Sequence, residues 1–351
     1  MKLLSKRSGT DSVSIYFASA SWKKFFFYGL LPPSAILLSF ALGRYPVSPG
    51  ELWSLFSSAL FPSLSVPPEI LSTIVFNIRL PRILAALLVG ASLSGAGACY
   101  QGMFHNPLAS PALLGAAAGA GFGAALGICL GFHVLSIQVL SFLASLSAVG
   151  ITCLLSGRIR HDRTLGLVLG GILTGSLFTA ATSLVKYTAD PFEKLPAITF
   201  WLMGSFSSVT MEDVYLVGPP IFLGLGFLYL LRWHLNVLSL PEEEARALGV
   251  RVHLYKLVVI LCATLATAAS VSISGMIGWV GLVIPHFVRI LAGPDYLHLL
   301  PASLVGGGIF LLLMDNLART LASVEIPLGI LTALVGVPFF LFLLFHEEAT
   351  F

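Results

Sequence analysis

Asp315 lies in the apolar run Leu313-Met314-Asp315-Asn316, with Arg319 four residues on. A carboxylate at membrane depth can bind a proton or cation in an ion-coupled carrier. An arginine at i+4 lies one helical turn away on the same face and predicts local pairing instead. His286 follows Pro285 and reads as a helix-end histidine, not a ligand. Cys99, Cys129, Cys153 and Cys262 all fall in apolar runs without a CxxC pair, as small buried hydrophobes do, so neither a disulfide frame nor a metal site is expected. None of the seven lysines follows a glycine, so there is no GxxxxGK[ST] loop to cradle ATP phosphates. His346-Glu347-Glu348 lacks the second histidine of HExxH, and no Ser–His or paired-aspartate arrangement appears. These residues predict a chain that is not an enzyme and holds no cofactor of its own: the body of a transporter.

The elements that position these residues follow from composition. Of 351 residues 57% are hydrophobic and 10% charged, with a mean hydropathy of +0.94; soluble domains carry about 25% charged residues. Apolar runs recur along the whole chain, so it is expected to be an all-α polytopic membrane protein. A helix crosses a bilayer in about 20 residues, and on that measure about ten transmembrane helices are placed at 25–43, 83–104, 109–131, 134–156, 164–187, 213–231, 256–274, 276–292, 301–320 and 328–345. The runs show no period-2 alternation, which excludes a β-barrel.

Lys and Arg set the orientation. With the N-terminus inside, Lys2, Lys6, Arg7, Lys23, Lys24, Arg158, Arg160, Arg163, Arg232, Arg246, Arg251, Lys256 and Arg289 lie on the cytoplasmic side. The outer side holds Arg44, Arg79, Arg82, Lys186, Lys194 and Arg319. An even helix count returns the C-terminus to the cytoplasm. Residues 1–24 and 346–351 are then cytoplasmic tails around a single permease domain, 25–345. The net charge of +3 is too small and scattered to imply a nucleic-acid partner. The first apolar run has no cleavage site behind it and is expected to be retained.

Outside the spans, 190–212 is expected to form a short outer helix, and 232–255 the largest cytoplasmic loop. Within that loop Pro241 suits a helix start, the acids Glu242, Glu243 and Glu244 complement the helix dipole, and Gly249 can end the helix. Pro107 prevents the helix before it from continuing through His105-Asn106-Pro107-Leu108. Gly115, Gly119, Gly123, Gly127 and Gly131 form an i, i+4 ladder that lets a neighbouring helix approach closely. Arg79 and Arg82 flank a helix start and, with Arg319, suit snorkelling anchors at the outer interface.

Several phrases resemble the FecCD-type permeases of binding-protein-dependent ABC importers, the class that includes the vitamin B12 importer permease. They begin with Arg79-Leu80-Pro81-Arg82, Gln101-Gly102 and Asn106-Pro107-Leu108-Ala109. Trp201-Leu202-Met203-Gly204-Ser205-Phe206, Glu243-Glu244-Ala245-Arg246-Ala247-Leu248-Gly249 and Val280-Gly281-Leu282-Val283-Ile284-Pro285-His286 follow. Ile326-Pro327-Leu328-Gly329 closes the series.

The resemblance implies the type II ABC importer permease fold in the cytoplasmic (inner) membrane of a prokaryote. It implies a homodimer with a second copy of the chain, two cytoplasmic ATPase subunits that bind ATP and Mg, and an extracytoplasmic substrate-binding protein. It also implies an iron chelate (siderophore or haem), a corrinoid or an oxyanion such as molybdate as substrate. By the same resemblance Arg79, Arg82 and Arg319 form a docking rim for the binding protein. Pro241, Glu243, Glu244, Ala245, Arg246 and Gly249 belong to the element that couples to the ATPase. Asn106, Leu108, Arg163 and Thr164 narrow the cytoplasmic gate, and the fifth and tenth spans line the path. An ion-coupled secondary transporter is the alternative from a different class.

Overall fold

The computed structural model describes residues 25–60, 69–158 and 163–348. The tail 1–24 with its five basic residues lies outside them, as do Arg160 and residues 349–351. Among the described residues there is no strand. The helices are α1 (Leu31–Ala41), α2 (Pro49–Leu60), α3 (Glu69–Met103), α4 (Ala116–Cys129), α5 (Val134–Ser156), α6 (Arg163–Thr188) and α7 (Lys194–Met203). After them come α8 (Met211–Leu230), α9 (Arg232–Leu238), α10 (Glu242–Ala247), α11 (Val252–Ser274), α12 (Val280–Ala292), α13 (Tyr296–Thr320) and α14 (Leu328–Glu348).

Each expected segment contains a helix, and among the described residues six are long and apolar enough to cross a membrane: α3, α5, α6, α8, α11 and α13. Phe27–Ala41, Ala116–Cys129, Val280–Ala292 and Leu328–Phe342 are shorter apolar stretches. The expected span 109–131 is broken by a 3-10 turn at Pro111–Leu114 and by Gly115, whose φ of 82° cannot continue a right-handed helix. The expected span 276–292 is helical only from Val280, and the last helix runs to Glu348, into the stretch assigned to the tail. The loop 232–255 contains α9, α10 and the first turn of α11, and 190–212 contains α7.

α3 starts well before residue 83. Pro81 has no N–H to donate, and the helix absorbs the mismatch in a π-helical stretch, Thr73–Arg79, after which the Leu80 N–H bonds to the Val75 carbonyl. Arg79 and Arg82 therefore flank the point where the α-helical part begins, at Leu80, within one longer continuous helix.

α3 and α11 form the centre and are buried over most of their length, whereas α5, α6 and α8 turn most of theirs outward. Small residues make the centre possible. A Cβ on Gly90 would lie 2.2 Å from the Gly307 carbonyl oxygen of α13, and one on Gly97 1.8 Å from the Gly281 oxygen of α12. The glycine ladder does the same for α4, since a Cβ on Gly119 or Gly123 would come within 2.6 or 2.5 Å of the Ala144 or Leu140 oxygen on α5. In lipid, where apolar burial between helices gives little drive, this backbone proximity supplies the association.

Irregular backbone at membrane depth must find partners within the protein. The Ser205 N–H donates to the Ser274 carbonyl at 2.9 Å, and the Leu328 N–H to the Gly204 carbonyl at 2.8 Å. The end of α7, the end of α11 and the start of α14 are thereby stitched together.

Candidate functional site

The candidate functional residues fall into three groups, built on α3 and α13, on α10, and on α6 with α14. At the end assigned to the outside, Arg79, Arg82 and Arg319 are all buried. Arg82 grips Glu325 with both terminal nitrogens (3.0 and 2.9 Å) and donates to Asp315 through Nε at 2.8 Å. Asp315 is completely buried and also pairs with Arg319 at 3.2 Å, as the i+4 spacing predicts. Asn316 Nδ2 donates to Ser39 Oγ at 2.6 Å, and Arg319 donates to Asn316 Oδ1. Arg79 donates to the carbonyls of Phe40 and Tyr45. Gly43 lies against its guanidinium, where a Cβ would come 2.6 Å from Nη2. The cluster thus ties α1, α3 and α13 together. The three guanidiniums expected as a docking rim turn inward to carbonyls and carboxylates. With Arg79, Arg82 and Arg319 against Asp315 and Glu325, the cluster keeps one surplus positive charge. Glu325 escaped the sequence reading, although it is the only acid between α13 and α14.

At the opposite end α10 forms a short ridge. Pro241 occupies its N-cap, Glu242, Glu243 and Glu244 fill the first turn, and Arg246 the last. Ala245 is fully buried and seats the helix, while Pro241, Glu243, Glu244, Arg246 and Gly249 are exposed. Gly249 has a φ of 79° with open space around it, so a side chain there would strain the backbone without a clash. Leu248 is 60% exposed, an apolar knob amid charges. Glu242 turns back to Arg246 and Lys256, and Lys256 Nζ donates to Thr164 Oγ1 at 3.1 Å. Lys256 is a second residue that spacing did not single out.

Asp295, which caps α13 beside this region, accepts from the Leu297 N–H at 2.9 Å and from Asn236 Nδ2 at 2.7 Å. The Leu297 backbone donor first, and Asn236 second, hold its carboxyl below the usual range.

Asn106 and Leu108 are both exposed, and the Asn106 side-chain oxygen accepts the Leu108 N–H at 2.8 Å across Pro107. That bond makes a rigid Asx turn. Thr164 is brought to Lys256 and hence to the α10 cluster. Arg163 opens α6, and its side chain lies outside the described residues.

α6 presents Ser176, Leu177, Thr179, Ala180 and Ser183 on an exposed face, along a shallow cavity of about 580 Å³. The Thr179 and Ser183 hydroxyls donate to carbonyls of their own helix, at 2.8 and 3.0 Å. A second cavity of about 570 Å³ lies between Leu93, Leu202, Met276, Trp279 and Ile330. Neither lining contains a charged residue among the described residues.

Residues 31–346 match the model of the FecCD transport family. The chain is 39% identical over 304 residues to the molybdate import system permease protein MolB of Haemophilus influenzae, covering 87% of this chain and 90% of that protein. It is 36% identical over 316 residues to the vitamin B12 import system permease protein BtuC of Citrobacter koseri, covering 90% and 91%. A solved structure described as an inward-facing conformation of a metal-chelate type ABC transporter superposes with a TM-score of 0.83 at 38% identity, covering 92% of this chain and 99% of that one.

Proposed function

The chain belongs to the FecCD transport family, and from that premise we propose that it is the membrane-embedded permease subunit of an ATP-driven importer working by alternating access. It assembles with a second copy of itself, two ATPase subunits on the side of α10, and a substrate-binding protein on the side of the arginine cluster. The observation that carries this reading is the α10 ridge. A short helix projects Leu248 with Glu243, Glu244 and Arg246 around it, seated on Ala245. An exposed apolar knob with a charged rim suits insertion into a cleft on a partner, where a buried anchor provides most of the binding energy.

This assignment gives a direct test. Leu248→Asp buries a charge in the ATPase cleft and is expected to weaken ATPase association by at least 10-fold in detergent, with the permease fold retained because the residue lies outside the core. Association at wild-type strength would remove α10 as the contact.

The surplus positive charge at the outer cluster supports docking of an acidic face there. The two uncharged cavities support a bulky, largely apolar cargo such as an iron chelate or corrinoid. The Thr179 and Ser183 hydroxyls of α6 already donate to their own helix, so the wall offers an oxyanion few donors, and an unpaired anion is costly to hold in such surroundings. Uptake by the reconstituted complex is expected for a ferric siderophore, haem or cobalamin and not for molybdate. Molybdate uptake would overturn the chelate assignment while leaving the importer intact. Gradient-driven uptake by the chain alone, without ATP, would instead favour the ion-coupled alternative.

A further inference from the structure

We propose that His105 is the positioning residue that links the coupling helix α10 to the inner turn Asn106–Leu108, so that movement of α10 is delivered to that turn through one side-chain contact. The proposal rests on the reading of α10 as the ATPase contact.

His105 and Trp279 are the two non-glycine residues at positive φ among the described residues. His105, with a φ of 50°, stands just past the end of α3. Its N–H bonds to the Gly102 carbonyl at 3.2 Å, and the Asn106 N–H to the Gln101 carbonyl at 3.1 Å. This is the paired hydrogen-bond pattern that ends helices with a left-handed residue, and glycine normally fills the position because a Cβ is disfavoured there. A histidine at the same place accepts that backbone cost and adds a ring.

The ring reaches 135 residues along the chain: Nε2 lies 3.1 Å from the Leu240 carbonyl oxygen. A carbonyl only accepts, so Nε2 carries the hydrogen in this contact. Leu240 directly precedes Pro241, the N-cap of α10. The first α10 turn closes on the Pro241 carbonyl, to which the Ala245 N–H donates at 3.0 Å. The Leu240 carbonyl stands outside that turn, where the ring reaches it.

On the other side of His105 the chain is stiff. Pro107 fixes its own φ, and Asn106 locks the Leu108 N–H at 2.8 Å. A displacement at Leu240 therefore arrives at Leu108 with little compliance. The Lys256–Thr164 bond forms a second tie, from the α10 cluster to the start of α6. Together the two ties connect α10 to both sequence stretches assigned to the inner gate.

The test uses the assembled complex of permease and ATPase, with hydrogen–deuterium exchange read at 104–110 and at 242–250, nucleotide-free and with ATP and vanadate. In the wild type both segments are expected to change exchange rate by at least fivefold between the states. His105→Asn tolerates the left-handed backbone but is too short to reach Leu240, and His105→Gly removes the backbone cost altogether. Both variants are expected to keep the change at 242–250 and to lose it at 104–110, with ATP hydrolysis within twofold of wild type. His105→Gln, whose amide can donate at longer reach, is expected to restore part of the lost response. A wild-type response at 104–110 in both the Asn and Gly variants overturns the link. So does a joint loss of response, melting temperature and ATPase activity in the Gly variant, which would mean a structural role only. A wild-type complex that shows no change at 242–250 would instead refute the reading of α10, and with it the proposal.

Discussion

Asp315→Ala is expected to destabilise the protein by about 3–5 kcal/mol, the cost of breaking a buried ion pair by removing one partner. Asp315 is completely buried and neutralises both Arg82 and Arg319, on α3 and α13. Without it two guanidiniums stay in an apolar interior with Glu325 as the remaining carboxylate. Asp315→Asn is expected to recover only part of the loss, since the amide still accepts from Arg82 but carries no charge. Melting in detergent, followed by light scattering or tryptophan fluorescence, checks both. Glu325→Gln provides the contrast: Glu325 is partly exposed, so its loss is expected to lower the melting temperature far less. Equal effects at the two positions would mean that burial does not set the energetics of the cluster.

Gly97→Val is expected to prevent the native association of α3 with α12. Its Cβ would sit 1.8 Å from the Gly281 carbonyl oxygen, which is backbone and cannot swing aside. Overpacking of a tight core costs about 1–3 kcal/mol where side chains can adjust, and here the whole helix has to move. The measurable outcome is loss of a monodisperse peak in size-exclusion chromatography. Gly226→Ala and Gly150→Ala, at helical positions with open space, are expected to be neutral or to gain up to about 1 kcal/mol from helix propensity. Similar behaviour at all three positions would refute the close-approach account of the central packing.

The sequence displayed its helices because twenty apolar residues in a row have few other uses, and its glycine ladder because bare backbone at i, i+4 has one obvious neighbour. It did not display where the helices stop. Gly115 sits in the ladder by spacing, yet it takes a left-handed conformation only because α4 must turn away from the 3-10 turn before it. Residues 275–279 are apolar enough to continue a helix, but their backbone lies close against α7 and α14, where a Cβ on Gly275 would come 2.2 Å from the Trp201 oxygen and one on Gly329 3.1 Å from the Met276 oxygen, and no local pattern encodes that. The arginine cluster was half visible. Arg319 with Asp315 follows from helical spacing, whereas Arg82 with Glu325 joins residues 243 positions apart. Arg79, lacking any carboxylate, is held by carbonyls at the end of α1 and just after it, and amino-acid type gives no sign of that. On α10 the cap, the acids and the terminating glycine were all legible. The exposure of Leu248 was not, because a leucine beside a buried alanine is ordinarily part of a core.

The bond from Leu328 to Gly204 fixes α14 at its first residue. A rod pinned at one end moves most at the other. At 1.5 Å per residue α14 is about 30 Å long, so a tilt of about 10° around that pin shifts its far end by roughly 5 Å and its near end hardly at all. On the importer reading proposed above, any widening along α14 therefore grows toward the side of α10, where the ATPase would supply the force.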